Sequence, residues 1–213
     1  MHRAMALEFG RMKRSEIREA AELATRAFDD YEYFTNWFPA KLERNAVQFA
    51  IIWREYRTNF GRVEYLVARQ DGRLVAVAQL NPPSYRKPSD LSYLLHGWLR
   101  VYKAGDRKAI DDWLKMDAAA GKPCHDYQKT GPDIWYASSL TVDPPVQGTG
   151  IGTGFIGYWE DYVRERGGKQ LVFFTNSRKN LDFYLRRGYE VFHEQEFRHN
   201  GRTMGSWSVK KAL

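Results

Sequence analysis

Residues 146–155 read VQGTGIGTGF, with Gly148, Gly150, Gly152 and Gly154 alternating with other residues. Ahead of them lies IWYASSLTV (134–142), an apolar, β-rich run closed by Asp143, Pro144 and Pro145. Behind them Ile151, Phe155, Trp159, Tyr162 and Val163 fall broadly on one side of a helix. A strand that runs into glycines that open a helix is a phosphate-binding geometry. The amides of the first helical turn have no partner within the helix, and the helix dipole adds partial positive charge. Glycine also lets a phosphate oxygen come close to the backbone. The plainer reading is a loop that needs glycine only to turn.

Known phosphate loops can be tested against this stretch. A P-loop needs Lys then Ser or Thr after its last glycine, and Gly152 is followed by Thr153 with no Lys. A dinucleotide site needs an acid roughly 20 residues on, at the end of the second strand. That strand ends FFTNS (173–177) with no acid, and the unit sits late in the chain.

Working outward, ALEFGRM (6–12) reads as a first strand. Ser15 is a candidate helix cap, followed by a stripe of Ile17, Ala20, Ala21, Ala24, Ala27 and Phe28. DDYEYFTNWFP (29–39) is loop-like and aromatic. A second helix is expected over about 41–56, with Leu42, Ala46, Phe49, Ala50 and Trp53 as its stripe. VEYLVARQDGRLVAVAQL (63–80) is a hairpin around Asp71-Gly72. Residues from about 89 to 120 look helical, with Gly105 as a break, and GKPCHDYQKTGP (121–132) reads as loop. After the glycine helix, closed by Gly167-Gly168, come a strand KQLVFFT, a short helix NLDFYLRR stopped by Gly188, and two strands joined at Asn200-Gly201. The order is mixed α/β with one crossover near the end.

The 213 residues suffice for one well-buried core, and 43% are hydrophobic and 15% aromatic. The formal charge of +7, from 33 basic and 26 acidic residues, favours acidic partners without choosing among them. Cys124 is the only cysteine, so no intrachain disulfide can form and a reducing compartment is expected. The N-terminal MHRAMALEFGRMKR lacks the apolar run of a signal peptide, and no stretch approaches the ~18 apolar residues of a membrane helix. A cytoplasmic protein with no membrane or nucleic-acid partner is the expectation. Cys124 and His125 form no zinc spacing, and no metal is expected.

Gln147 to Gly152 resembles the Q/R-x-x-G-x-G/A signature of the GNAT N-acetyltransferase superfamily. Further on, TNSRKNLDFYLRRGYEVF (175–192) is similar to that family's second landmark, with Ser177, Tyr184, Gly188 and Tyr189 in its N/S, Tyr, Gly and aromatic positions. The motif match covers about the last eighty residues, and within the superfamily the tail from Ile134 looks most like the puromycin N-acetyltransferase type of small-amine acetylase. The resemblance implies a single acetyltransferase domain over 1–213. Its α/β (α+β) fold would be a central mixed, mostly antiparallel sheet flanked by helices, with splayed fourth and fifth strands. Residues at about 81–133 depart from the family pattern as a helical insertion, which either closes over the acceptor or makes a homodimer contact.

The implied activity is direct transfer of an acetyl group from acetyl-CoA to a primary amine of a small molecule or of a peptide. Gln147, Gly148, Thr149, Gly150, Ile151, Gly152 and Thr153 would cradle the CoA pyrophosphate. Leu140 and Val142 would pair with the pantetheine arm through their backbone. Ser177 and Asn180 would touch CoA or cap their helix, and the basic set Arg178, Lys179, Arg186 and Arg187 would attract a phosphate or form a solvated face. Tyr184 would protonate the departing thiolate, for a phenol is protonated at neutral pH; Tyr189 reads as core. Backbone amides of the splayed strand would stabilise the oxyanion. Asp29, Asp30, Tyr31 and Phe34 would line the acceptor site, with Glu32 and Trp37 near, and Asp30 or Glu194 is the candidate base, with Glu196 beside it. Two other functions fit less well: a non-catalytic acyl-CoA-sensing module and a nucleotide-dependent oxidoreductase.

Overall fold

The computed structural model describes residues 7–213. Strand β1 (Leu7–Arg11) leads to helix α1 (Ile17–Ala27), a short α2 (Glu32–Thr35) and α3 (Lys41–Asn59). The hairpin β2 (Glu64–Gln70) and β3 (Arg73–Asn81) follows, then α4 (Asp90–Leu95), a 3-10 segment (Trp98–Lys103) and α5 (Arg107–Gln128). The chain returns through β4 (Ile134–Val142), α6 (Ile151–Arg164), β5 (Gln170–Thr175), α7 (Arg178–Leu185), β6 (Glu190–His199) and β7 (Arg202–Ala212). The expected first strand began at Ala6, which lies outside the described residues.

The seven strands form one sheet in the order β1-β2-β3-β4-β5-β7-β6, antiparallel throughout except between β4 and β5. The two hairpin turns have the positive φ their residues suit: 51° and 79° at Asp71-Gly72, 48° and 76° at Asn200-Gly201. Alternation along β2 and β3 sends Leu66, Ala68, Ala76 and Ala78 to a core shared with α6, while Tyr65, Val67 and Val77 meet α1 on the other face. A third cluster packs Ile110, Trp113, Met116 and Ala120 of α5 on Phe34, Phe38, Val47 and Ile51. The segment between β3 and β4 is thereby fastened over α2 and α3.

Strands β4 and β5 pair at only three positions, Ile134↔Gln170, Trp135↔Leu171 and Tyr136↔Val172, and then diverge. On its other edge β4 has Ala137 opposite Leu80 and Ser139 opposite Gln79, so Ser138 is an extra residue in the ladder. Such a bulge bends its strand, and this one sits where the pair separates.

Three sequence expectations are corrected. Ser15 caps nothing: it lies in a 3-10 turn whose leading amide, at Lys13, donates to Glu16 Oε2 (2.6 Å), and α1 begins only at Ile17. Leu42 is 88% exposed and Ala46 is exposed. The buried side of α3 carries Arg44, Val47, Ala50, Ile51 and Arg54, because α3 is covered by α1 on one side and by the segment between β3 and β4 on another. Gly121–Gln128 is helix, not loop, despite Pro123. A proline inside a helix frees the carbonyl four residues back, and that carbonyl, on Ala119, accepts from Gln195 Nε2 (3.2 Å). Cys124 and His125 therefore face inward from α5. Burial pushes the Cys124 thiol up to about 12 and lowers His125 from its usual value.

Candidate active site

The glycine loop is held from both ends. Asp143 accepts two bonds from the Arg26 guanidinium (3.1 and 3.0 Å). Gln147 folds back so that Nε2 donates to Val142 O (2.9 Å), and Thr149 Oγ1 donates to Val146 O (2.7 Å). Gln147 thus shapes the turn. Gly148 and Gly150 have φ of 78° and 91°, and a Cβ built on either would meet no heavy atom within 4 Å. Gly150 caps α6, and the first amide of the turn to find a helical partner is Gly154, bonded to Gly150 O (3.0 Å). Ile151, Gly152 and Thr153 precede it, with the unpartnered amides of a helix start. Arg187 reaches this end from the turn after α7: its Nη2 donates to Thr153 Oγ1 and its guanidinium lies 3.5 Å from the Phe183 ring centroid. Of the four basic residues considered, Arg187 is the one that hydrogen-bonds a residue of this turn, while Arg178 pairs with Asp182 (3.4 Å).

A cavity of about 1650 Å³ opens where β4 and β5 separate. The diverging strands supply Ser138, Ser139 and Leu140 on one side and Phe173–Asn176 on the other, and α7 supplies Asn180 and Tyr184. Tyr31 and Phe34 also line it. Leu140, Asn180, Tyr184, Tyr31 and Phe34, scattered in the sequence, thus share one cavity. Tyr184 is 8% exposed and packs edge-on against Phe173 (4.5 Å between centroids). Burial raises its pKa, so the phenol carries its proton throughout the neutral range. The Asn176 amide donates to Tyr31 Oη (2.9 Å), tying the aromatic segment to the free end of β5. Ser177 Oγ accepts from Asn180 N (3.5 Å), which makes Ser177 the N-cap of α7. Tyr189 is core, accepting from Trp159 Nε1 and donating to Glu160 Oε1.

The expected acids lie elsewhere. Asp29 pairs with Lys41 (2.6 Å) and Arg44 (3.3 Å), and the Lys41 ammonium holds its carboxyl below the usual range. Asp30 is exposed, and so are Glu194 and Glu196 on the outermost strand β6; none lines the cavity. Trp37 stacks on His199 (5.2 Å), also away from it. The acids of the lining are Glu55 of α3, Asp117 of α5 and an exposed Asp90; the two that are partly buried are Glu55 and Asp117. Glu55 Oε1 accepts from Asn59 Nδ2 (2.7 Å), and Asn59 Oδ1 in turn accepts from Tyr85 Oη (2.9 Å). Burial, helped by the charge of Asp117, pushes Glu55 up to about 7. Asp117 accepts from the Tyr33 hydroxyl and is likewise raised by burial. Neither acid shows in the sequence, where Glu55 is flanked by Arg54 and Arg57 and Asp117 sits among lysines and aspartates like a solvated helix face. Among the described residues no three His, Cys, Asp or Glu side chains converge as a metal site, and no helix is long and apolar enough to cross a membrane.

Residues 22–189 match the acetyltransferase (GNAT) family, and the chain belongs to it. Solved structures share its fold at low identity. A histone acetyltransferase HPA2-related protein of Corynebacterium glutamicum superposes with a TM-score of 0.63 at 15% identity, over 97% of this chain and 96% of the other. A GCN5-related N-acetyltransferase of Rhodopseudomonas palustris gives 0.59 at 15%, covering 100% of both. The yncA protein of Salmonella typhimurium, solved with its cofactor acetyl-CoA, gives 0.59 at 13%, over 98% and 94%. No curated protein sequence is significantly similar to this chain. These matches carry the family and the acyltransferase class; they do not carry the puromycin type, for a phosphinothricin N-acetyltransferase fold match stands at 9% identity.

Proposed function

We propose that this GNAT acyltransferase moves the acetyl group of acetyl-CoA directly to a primary amine of a small molecule or of a peptide. The observation that carries the reading is the parting of β4 and β5 into a cavity that holds Tyr184, with the glycine loop directly after β4. The residues present fit the cofactor. Gly148 and Gly150 leave open space where side chains would stand, and the first-turn amides of α6 suit a pyrophosphate. Beyond Tyr136, β4 has no strand partner toward β5, which leaves its edge for an extended pantetheine arm. When bound, acetyl-CoA supplies an acetyl thioester.

The chain's own part is acid–base work and positioning. The attacking amine must shed a proton, and a carboxylate of the cavity, directly or through water, accepts it. As the carbon–nitrogen bond forms and the carbon–sulfur bond breaks, Tyr184 donates its phenolic proton toward the sulfur. A tyrosine kept protonated by burial suits that role.

A thermal-shift titration with acetyl-CoA, CoA and NAD(P)H, followed by thiol release over an amine panel, tests this. Acetyl-CoA at ~100 times its Kd should add about 2.7 kcal/mol of stability. No shift with either CoA form, or a shift with NAD(P)H alone, overturns the reading.

A further inference from the structure

The acceptor half of the cavity has a chemistry of its own. About 1650 Å³ is more than the roughly 300–1,000 Å³ of sites that take a drug-sized ligand. The thioester end of a bound cofactor would occupy only part of it, leaving room for a bulky acceptor. The insertion contributes Tyr85, Tyr93, Trp98 and Trp113, and the facing wall contributes Tyr33 and Tyr136. Tyr33 is fixed by Trp113, whose Nε1 donates to Tyr33 O (2.9 Å) and whose ring stands edge-on to it (5.3 Å). These are flat apolar faces of the kind that take aromatic bodies and cations.

Two carboxylates stand among these rings, on different elements. Glu55 comes from α3 and Asp117 from α5, and each is partly buried. Each accepts a bond from a neutral group, Asn59 or Tyr33. Among the described residues, neither has a cationic partner within the 4.0 Å of an ion pair. The basic residues of the lining, Arg86, Lys87 and Lys129, are exposed, as is Asp90; Arg86 is spent on Pro83 O and Tyr85 O (3.2 and 2.9 Å). Lys87 acts on both carboxylates only through space, and His125, the remaining basic side chain of the wall, is held toward its neutral form. A carboxylate withdrawn from water without a cation is costly. Two such groups in one ligand cavity are explained if the ligand brings the cations.

We propose that the acceptor is a bulky amine with a flat apolar body and two cationic nitrogens, one held at Asp117 and Tyr33 and the other at Glu55; for transfer, one of the two yields its proton to the carboxylate beside it and attacks while the other stays charged. The inference rests on the acetyl-transfer reading and names the substrate class of that site.

Thiol release should be measured for matched pairs: the three xylylenediamine isomers and 4,4′-bis(aminomethyl)biphenyl, each against the monoamine in which a methyl replaces one aminomethyl group. A diamine carries two equivalent nucleophiles, which alone is worth a factor of about two. The wild type should favour at least one diamine by about tenfold or more in kcat/KM. Glu55→Gln and Asp117→Asn should each bring that ratio down toward about two, and Glu55→Asp should restore part of it. Acetyl-CoA-induced thermal shifts on each variant show that it is folded and loaded. Ratios near two for every pair in the wild type, no turnover of any panel member, or a preference that survives both substitutions overturns the inference. If acetyl-CoA still shifts the melting of the wild type in those cases, the acetyl-transfer reading stands; if it does not, that reading has failed first.

Discussion

Glu55 gives the protein a pH signature that a single substitution should erase. Its carboxyl is raised from 4.5 to about 7, first by burial and then by Asp117. Between those two values the folded chain holds a proton that the unfolded chain has lost. Unfolding therefore releases that proton, and stability falls as pH rises through this window. The penalty is absent below about 4.5 and complete above about 7. At about 1.4 kcal/mol per unit the shift corresponds to ~3 kcal/mol, and partial access to solvent reduces it to about 1–3 kcal/mol. Gln cannot ionise, and its carbonyl can still accept from Asn59 Nδ2. Glu55→Gln should then match the wild type near pH 4.5 and exceed it by about 1–3 kcal/mol at pH 8, or roughly 2–12 °C in Tm for a chain of this size. Denaturant and thermal unfolding of both ligand-free proteins at pH 5, 6, 7 and 8 measure this. The other titrating groups are common to both proteins, so the difference curve isolates Glu55 and its coupling to Asp117. Parallel curves, or a variant that weakens relative to wild type as pH rises, would refute the reasoning.

The remaining predictions concern the cofactor half and its link to the acceptor segment. Tyr184→Phe should lower kcat by about 10²–10⁴-fold, the usual scale of a positioned proton donor, with acetyl-CoA affinity kept; unchanged turnover removes the role. Gly152→Ala places a methyl 3.5 Å from Val142 Cγ2 in helical backbone, so stability should hold or rise by up to about 1 kcal/mol. Calorimetric titration of that variant should nonetheless show weaker acetyl-CoA binding, since a methyl intrudes on the amide cradle, and equal affinity would move the phosphates elsewhere. Gly150→Ala should instead cost about 1–2 kcal/mol in chemical denaturation, because φ is 91° there. Tyr31→Phe leaves the Asn176 amide without its acceptor and should cost roughly 1–3 kcal/mol; a loss below the error of the denaturation curve would show that water replaces the hydroxyl.

The geometry of the glycine loop is legible in the sequence because its parts are local. Gln147 bonds to Val142 and Thr149 to Val146, both within five residues, and the positive φ of Gly148 and Gly150 is a demand that glycine meets wherever it stands. Ser177 capping Asn180 is equally local. The hairpins announce themselves through Asp71-Gly72 and Asn200-Gly201 for the same reason. The acids escape this logic. Asp30 and Glu194 are reasonable choices by adjacency to aromatics or by strand order, but adjacency along the chain does not say which side of a helix or strand meets the cavity. The stripe expected for α3 holds at Phe49, Ala50 and Trp53 but fails at Leu42 and Ala46, and it omits two inward residues that are arginines. Arg44 bonds to the carbonyls of Asp29, Phe38 and Pro39, and Arg54 to those of Gly97 and Ala50. A scale that sorts residues by polarity turns these struts outward and turns Glu55 outward with them.

The same division governs where specificity can change. The proposed acceptor wall is assembled from Tyr33, Glu55, Tyr93 and Asp117, which come from four segments and meet only through tertiary packing. What holds α5 in place is equally distant in sequence: Trp113 on Tyr33, Asp117 on the Tyr33 hydroxyl, and Gln195 on the carbonyl that Pro123 frees. None of these contacts passes through the glycine loop or the edge of β4. On the acetyl-transfer reading proposed above, substitutions on the inner face of α5 should change which amine is held while the first turn of α6 keeps its grip on the cofactor. On that reading the choice of recipient falls to the segment between β3 and β4 and the walls it faces, and the loop would serve any amine alike.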